Sequence, residues 1–276
     1  MDKIEFIKMH GLGNDFVIID RRRNIIEINR KITNKLSDRR SGPGCDQIIT
    51  IDKPDSNNYD ANIKIFNPEG DEAEACGNGT RCVAKILSEE LNKSKINLKS
   101  KAGILEANIL TNNLISVNLG KISNEWNKIP LSKKMDTLNV PINLGLLDKG
   151  VAVNIGNPHI VFILQDIDKC DLKKYGPKIE NHNFFPEKIN LEIIQIIDEN
   201  KIKMKVWERG VGITPACGSG ACAAAYASSI KKYTNKDVEV ILDRGSLSIE
   251  IKNDEAIMTG PAEISYKGFI EKEKNA

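Results

Sequence analysis

A chain of 276 residues with 40% hydrophobic side chains can bury one large core or two modest ones, which speaks against intrinsic disorder. Its 40 basic and 38 acidic residues nearly cancel and the lysines are scattered, so no electrostatic footprint for nucleic acid or a membrane surface stands out; a small-molecule partner fits better. The N-terminus lacks the basic start and apolar stretch of a signal peptide, and no run of about 18 apolar residues is present to span a bilayer, so a cytoplasmic location is expected. There the six cysteines, Cys45, Cys76, Cys82, Cys170, Cys217 and Cys222, read as mostly free thiols rather than a disulfide framework.

In chain order, Asn14-Asp15-Phe16 and Asp46-Gln47-Ile48-Ile49 are the first distinctive blocks. Ile63-Lys64-Ile65-Phe66-Asn67 alternates as a strand does and ends nine residues before Cys76. After the turn Cys76-Gly77-Asn78-Gly79, an apolar stripe of Cys82, Val83, Ile86, Leu87 and Leu91 opposes Lys85, Glu89 and Glu90, the pattern of an amphipathic helix. Residues 124–149 hold Pro130 and Pro141 and lack strong periodicity, which predicts a linker near 120–145. Val151–Ile155 reads as a strand and leaves Gly156-Asn157-Pro158-His159 in the loop behind it. Met204-Lys205-Val206-Trp207-Glu208 is a second alternating strand, nine residues before Cys217, and Ala221–Ala227 is small and apolar all round, as in a helix enclosed on most sides. The tail from Ser265, with Tyr266-Lys267-Gly268-Phe269-Ile270, lies outside this pattern and is expected to return to the first domain.

These blocks repeat. Cys76 and Cys217 are 141 residues apart, as are the strands before them; Asn14 and Asn157, and Gln47 and Asn190, are 143 apart; Ala102–Glu106 and Arg244–Ser248 are 142 apart. Four blocks in one order at nearly constant spacing argue for duplicated domains. The class expected is α+β, with two pseudo-symmetric domains, each a curled, mainly antiparallel sheet around a central helix. The boundaries expected are 1–120 with the tail 264–276, and 121–263.

Cys-Gly-X-Gly at the head of a helix lets the backbone turn sharply and aims unpaired N–H groups, with the helix dipole, at an anion beside the sulfur. A carboxylate fits there, and the same donors stabilise charge that develops on it when the adjacent carbon loses a proton. A lone cysteine of this kind is as compatible with packing as with chemistry; the matched pair favours chemistry. Cys82 and Cys222 read as core, and the cysteine spacings, without nearby histidines, suit no zinc site. His159 can titrate near neutral pH and take a proton from a thiol, or be a histidine fixed by a backbone hydrogen bond. Glu208 and Arg209 offer a base and a bidentate carboxylate clamp, or a surface ion pair. No pyridoxal-phosphate lysine, P-loop or dinucleotide fingerprint is present, so cofactor-free proton transfer at carbon is indicated. One thiolate takes the proton, a second thiol returns one to the opposite face, and the carbon inverts.

His10-Gly11-Leu12-Gly13-Asn14-Asp15-Phe16, Phe66-Asn67-Pro68-Glu69-Gly70, Ala75-Cys76-Gly77-Asn78-Gly79-Thr80-Arg81-Cys82, Gly156-Asn157-Pro158-His159, Glu208-Arg209-Gly210-Val211-Gly212 and Ala216-Cys217-Gly218-Ser219-Gly220 closely resemble the diaminopimelate epimerase family, from residue 9 to about 262. The resemblance implies a cytoplasmic, homodimeric, cofactor-independent enzyme that interconverts LL- and meso-diaminopimelate, with Cys76 as proton donor and Cys217 as acceptor in one direction. By the same resemblance, Asn14, Gln47, Asn67, Asn157, Asn190, Glu208 and Arg209 contact substrate, together with the backbone of Gly77-Asn78 and Gly218-Ser219, and His159 and Glu208 tune the thiols. Asn78 departs from proline racemase-like enzymes, which typically have histidine there, and phenazine-type isomerases of this fold lack the cysteine pair. A thiol-redox protein, in which Cys76 and Cys217 cycle to a disulfide, is the rival from another class. Comparing the copies, Glu208 answers Asn67, and His159 is expected to answer Asp15.

Overall fold

A computed structural model describes residues 3–73 and 76–271, which cluster into two units: residues through Val117 together with those from Pro261 on, and Asn118–Gly260. Residues 272–276 of the tail lie outside the described residues.

In the first unit, β1 (Lys3–Gly11) and β2 (Asn14–Asp20) form a hairpin, and β2 runs parallel to β3 (Gln47–Asp52) after the short helix α1 (Arg30–Ser37). β3 pairs antiparallel with β4 (Ala61–Phe66), which also pairs with the short β5 (Glu72–Ala73). The central helix α2 (Gly77–Leu91) follows, then β6 (Lys95–Ser100), parallel to β4, the antiparallel β7 (Gly103–Ile109), and the start of β8 (Ile115–Lys121), whose residues from Asn118 on belong to the second unit. The C-terminal strand, Glu263–Glu271, pairs antiparallel with β1, placing Ile4 opposite Ile270 and Phe6 opposite Gly268. Strands alternate buried and exposed because one face lies on α2; β4 reads Ala61, Ile63 and Ile65 inward. The helix buries Cys82, Val83, Ala84 and Leu87 against β1, β2, β6 and β7, and its stripe fades at exposed Leu91 before Asn92 closes it in a left-handed conformation. Truncating fully buried Leu87 to alanine would cost about 2–5 kcal/mol.

The second unit opens with β9 (Val140–Leu144) and β10 (Leu147–Asn154), and β10 makes a hairpin with β11 (Pro158–Ile163). Helix α3 (Leu172–Glu180) leads to β12 (Asn190–Asp198), parallel to β11. Then come β13 (Lys201–Glu208), β14 (Gly212–Thr214), the central helix α4 (Gly218–Ile230), β15 (Asp237–Leu242), β16 (Gly245–Lys252) and β17 (Glu255–Gly260). The two units share one strand plan to the residue: Phe16 pairs with Gln47 as His159 pairs with Asn190, and Ala61 pairs with Leu98 as Ile202 pairs with Val240. Both helices are fully buried over one stretch, α2 from Thr80 to Ala84 and α4 from Ala221 to Ala225, but α4 stays buried at Ala227 and Ser228 where α2 is exposed from Glu89 to Leu91. Alanine suits that enclosure, leaving room for sheet side chains on all sides.

Two expectations fail here. The stretch near 120–145 is no linker: Ile129, Leu131, Val140 and Ile142 are buried in the second unit's core with Leu147, Phe162 and Leu191. Proline and weak periodicity mark irregular backbone there, and irregular backbone can still bury its side chains. His159 is not in a loop either, because β11 starts at Pro158 and the imidazole is fully buried.

Candidate active site

Each central helix starts at its glycine, so Cys76 and Cys217 are the N-cap residues, both extended (φ −145° and −127°) and neither making a side-chain capping bond. A helix leaves its first N–H groups without intrahelical acceptors, and here they cluster beside a sulfur. Intrahelical bonding begins with Thr80 N–H to Cys76 O and Ala221 N–H to Cys217 O. The glycine three residues past each cysteine permits a close approach. A Cβ on Gly79 would lie 2.5 Å from Ile49 Cδ1, and one on Gly220 would lie 2.7 Å from Glu192 Oε1 and 3.3 Å from Cys217 Sγ.

In the first unit Cys76 is half-buried, and its thiol points at Asn14 Oδ1, 3.9 Å away. The same oxygen accepts from Asn78 Nδ2 at 3.1 Å, while Asn78 Oδ1 is buried with no partner. Asn14 follows Gly13, whose φ of +87° makes the sharp turn between β1 and β2. Gln47 and Asn67, from neighbouring strand ends, are joined by a Gln47 Nε2 to Asn67 Oδ1 bond of 3.0 Å.

In the second unit Cys217 is buried and lies beside Glu208, which accepts from the Cys217 thiol and from Thr214 Oγ1. Burial, then the charges of Glu208 and Glu192, push the Cys217 thiol well above its ordinary range, against the donors Ser219 and Gly220. Burial likewise raises the Glu208 carboxyl; Thr214, Cys217 and His159 oppose that rise and Glu192 adds to it. Two anions resist forming side by side in a dry site, so one proton stays with the Cys217–Glu208 pair at neutral pH.

His159 stands between two acceptors, its Nδ1 2.7 Å from Glu192 Oε1 and its Nε2 2.8 Å from Asn157 Oδ1. Both members of the His159–Glu192 pair are fully buried, and Glu192 Oε2 has no partner. An amide oxygen only accepts, so Nε2 carries the hydrogen of that bond. Glu192 was invisible in the sequence because Leu191-Glu192-Ile193 reads as the polar position of an alternating strand. The available signal was its place two residues after Asn190, on the strand register that carries His159. That register also corrects the pairing of the copies: Phe16, not Asp15, occupies the position of His159, and Ile49 that of Glu192.

Asn190 is buried with both amide ends on the main chain, Nδ2 to Pro158 O and Oδ1 from Arg209 N–H, each at 2.8 Å. It therefore fixes the loop that carries Arg209, whose exposed guanidinium donates to Glu187 O at 3.1 Å. Glu180, a second residue that sequence reasoning missed, accepts from Trp207 Nε1 at 2.7 Å and Gly210 N–H at 3.1 Å and so pins the Glu208-Arg209-Gly210 corner. All six cysteines are free; burial pushes the Cys45 and Cys82 thiols up to about 12, as suits core residues. Among the described residues, no three His, Cys, Asp or Glu side chains group as metal ligands would, and no helix is long and apolar enough to cross a membrane.

A family model described as diaminopimelate epimerase matches residues 6–124 and 151–265. The chain is 46% identical over 266 residues to the diaminopimelate epimerase of Pelagibacter ubique, covering 94% of this chain and 95% of that one. It is 39% identical to the enzyme of the same name from Rhodospirillum centenum, covering 96% and 91%. Among solved structures, a phenazine biosynthesis protein of the PhzF family from Bacillus anthracis superposes with a TM-score of 0.72 at 16% identity, over 99% of this chain and 100% of that one. A hydroxyproline epimerase from Agrobacterium vitis, with bound trans-4-hydroxy-L-proline, gives 0.70 at 10% identity, over 97% and 92%. At such identities the likeness is one of fold.

Proposed function

Since the chain belongs to the diaminopimelate epimerase family, we propose that it interconverts LL- and meso-diaminopimelate for lysine and peptidoglycan precursor synthesis, moving one proton between two cysteines with no cofactor. The observation that carries this reading is the duplicated cysteine N-cap, in which each thiol stands among the free N–H groups of a helix start. The α-carboxylate binds those N–H groups, which also hold the negative charge that grows on it as the α-proton leaves.

In the direction that uses Cys217 as base, its proton passes to Glu208, whose raised affinity for protons suits the task. The substrate's α-ammonium adds a positive charge beside the sulfur and so favours the thiolate. Cys76 returns a proton to the opposite face of the carbon, and the two roles exchange in reverse. Arg209 holds the distal carboxylate bidentately, and Asn14, Gln47, Asn67, Asn157 and Asn190 order the substrate or the loops around it. We further assign the protein to the cytoplasm as a homodimer.

The test is stereochemical. Purified, reduced protein without added cofactor is expected to convert LL-diaminopimelate to an equilibrium mixture with the meso form and to leave L-proline unchanged. Racemisation of proline with no action on diaminopimelate would contradict the proposal, and loss of activity under reductant would favour the redox reading.

A further inference from the structure

We propose that Asp46 is a positioning residue that holds Cys76 as a hydrogen-bonded thiol, by dictating which end of the Asn14 amide the sulfur meets. A carboxylate only accepts hydrogen bonds. Asp46 Oδ2 accepts from Asn14 Nδ2 at 2.9 Å and from Asp15 N–H at 3.0 Å, and Asp46 Oδ1 accepts from Arg39 Nη2 at 2.7 Å. Arg39 also clamps Asp15 with bonds of 2.9 and 2.7 Å, Lys8 Nζ reaches Asp15 at 2.6 Å, and Asp46 N–H donates back to Asp15 at 3.0 Å. The carboxylate is thus fixed, and Asn14 must present its NH₂ end to it.

The carbonyl end therefore turns the other way, onto Asn78 Nδ2 and the Cys76 thiol. An oxygen beside the sulfur favours S–H and opposes the thiolate, whereas an NH₂ would do the reverse. In the second unit the corresponding amide oxygen has a different partner. Asn157, the counterpart of Asn14, turns its oxygen onto His159 and leaves its NH₂ for other partners. Asp46 thereby keeps Cys76 in the form that gives a proton away; this consequence for turnover rests on the epimerase reading, while the thiol geometry does not.

The test is Asp46→Asn. If the new amide keeps its oxygen on Arg39, it turns NH₂ toward Asn14, which must flip and offer NH₂ to the sulfur. Alkylation of Cys76 by iodoacetamide, followed by mass spectrometry in a Cys217→Ala background, is expected to accelerate about tenfold at neutral pH, the change in thiolate fraction that one pKa unit gives. At strongly alkaline pH, where the thiol is fully ionised, the rate should stay at the parent's value; a merely loosened structure would raise both rates. Cys82, the titratable neighbour that senses Cys76, stays neutral near pH 7 with its pKa of about 12. Asn14→Leu removes the acceptor and is expected to accelerate the neutral-pH reaction as well, so it decides the matter should Asp46→Asn fail to fold. Unchanged neutral-pH rates, or equal acceleration at both pH values, would overturn the proposal. Alkylation needs no turnover, so its outcome is separate from that of the substrate assay.

Discussion

The two units lay the same strands around the same helix and fill corresponding positions with different chemistry. Beneath Gly79 in the first unit lie Phe16 and Ile49; at the matching register in the second stand His159 and Glu192, a buried pair in hydrogen-bond contact. Asn67 follows the last residue of β4 where Glu208 ends β13, and the paired asparagines Asn14 and Asn157 turn their amide oxygens to different partners, the Cys76 thiol and the His159 ring. One half is apolar under its thiol and the other is ionisable. Duplication supplies two equivalent helix starts, and divergence in what lies beneath them makes one thiol simple and the other proton-coupled.

The widest break in the comparison is expected from the thiols themselves. Cys76→Ala and Cys217→Ala should each lower kcat by roughly 10³–10⁴-fold, because each removes a general acid or base that the other cannot replace. Epimerisation assays run from both the LL and the meso side read this.

Next comes the buried pair. Glu192→Leu leaves His159 without its partner and should cost about 3–5 kcal/mol in denaturant unfolding. Copying the first unit's residues with His159→Phe and Glu192→Ile together should leave stability near the wild-type value, while turnover is still lost. If the double variant were as unstable as the single, the copies would not be interchangeable at that layer.

Glu208→Gln, which makes this position resemble Asn67, is expected to lower kcat by about 10²-fold. It should also stabilise the fold at neutral pH. The carboxyl's affinity for protons is raised on folding, so its favourable contribution is present in acid, below the unfolded pKa, and is lost as pH rises through the folded one. The stability gain from Glu208→Gln should therefore grow with pH, as thermal unfolding across a pH series would show.

The smallest effect belongs to the first unit. Asp15 is held at about 2 instead of 3.8: burial raises it, but Arg39 and Lys8 lower it further. A depressed carboxyl stabilises above its unfolded pKa, so roughly 2 kcal/mol should disappear as pH falls from about 4 to about 2. Asp15→Asn should flatten that part of the acid-unfolding curve.

Much of the molecule was legible in the sequence because its signals were local. The Cys-Gly turns, the alternation of Ile63–Phe66 and Met204–Glu208, and the small residues of Ala221–Ala227 each report their own backbone and burial. The constant spacing of four blocks revealed the duplication. What stayed hidden depends on neighbours across strands. Glu192 looks like an ordinary outward residue until β11 and β12 are placed side by side, and Asp46 acts only through the amide of a residue thirty-two positions away. The mistaken match of Asp15 with His159 has the same origin, since laying loops tip to tip ignores the strand register that decides which residues are equivalent.

The central claim, that one thiol removes the α-proton and a different one replaces it, is tested most directly by following isotope in D₂O. Early in the reaction from LL-diaminopimelate, the meso product should carry one deuterium at the inverted α-carbon, while unreacted substrate remains almost free of it, because the returning proton comes from a thiol already equilibrated with solvent. Product that retains the substrate's own hydrogen, or deuterium appearing in substrate and product at equal rates, would contradict the account.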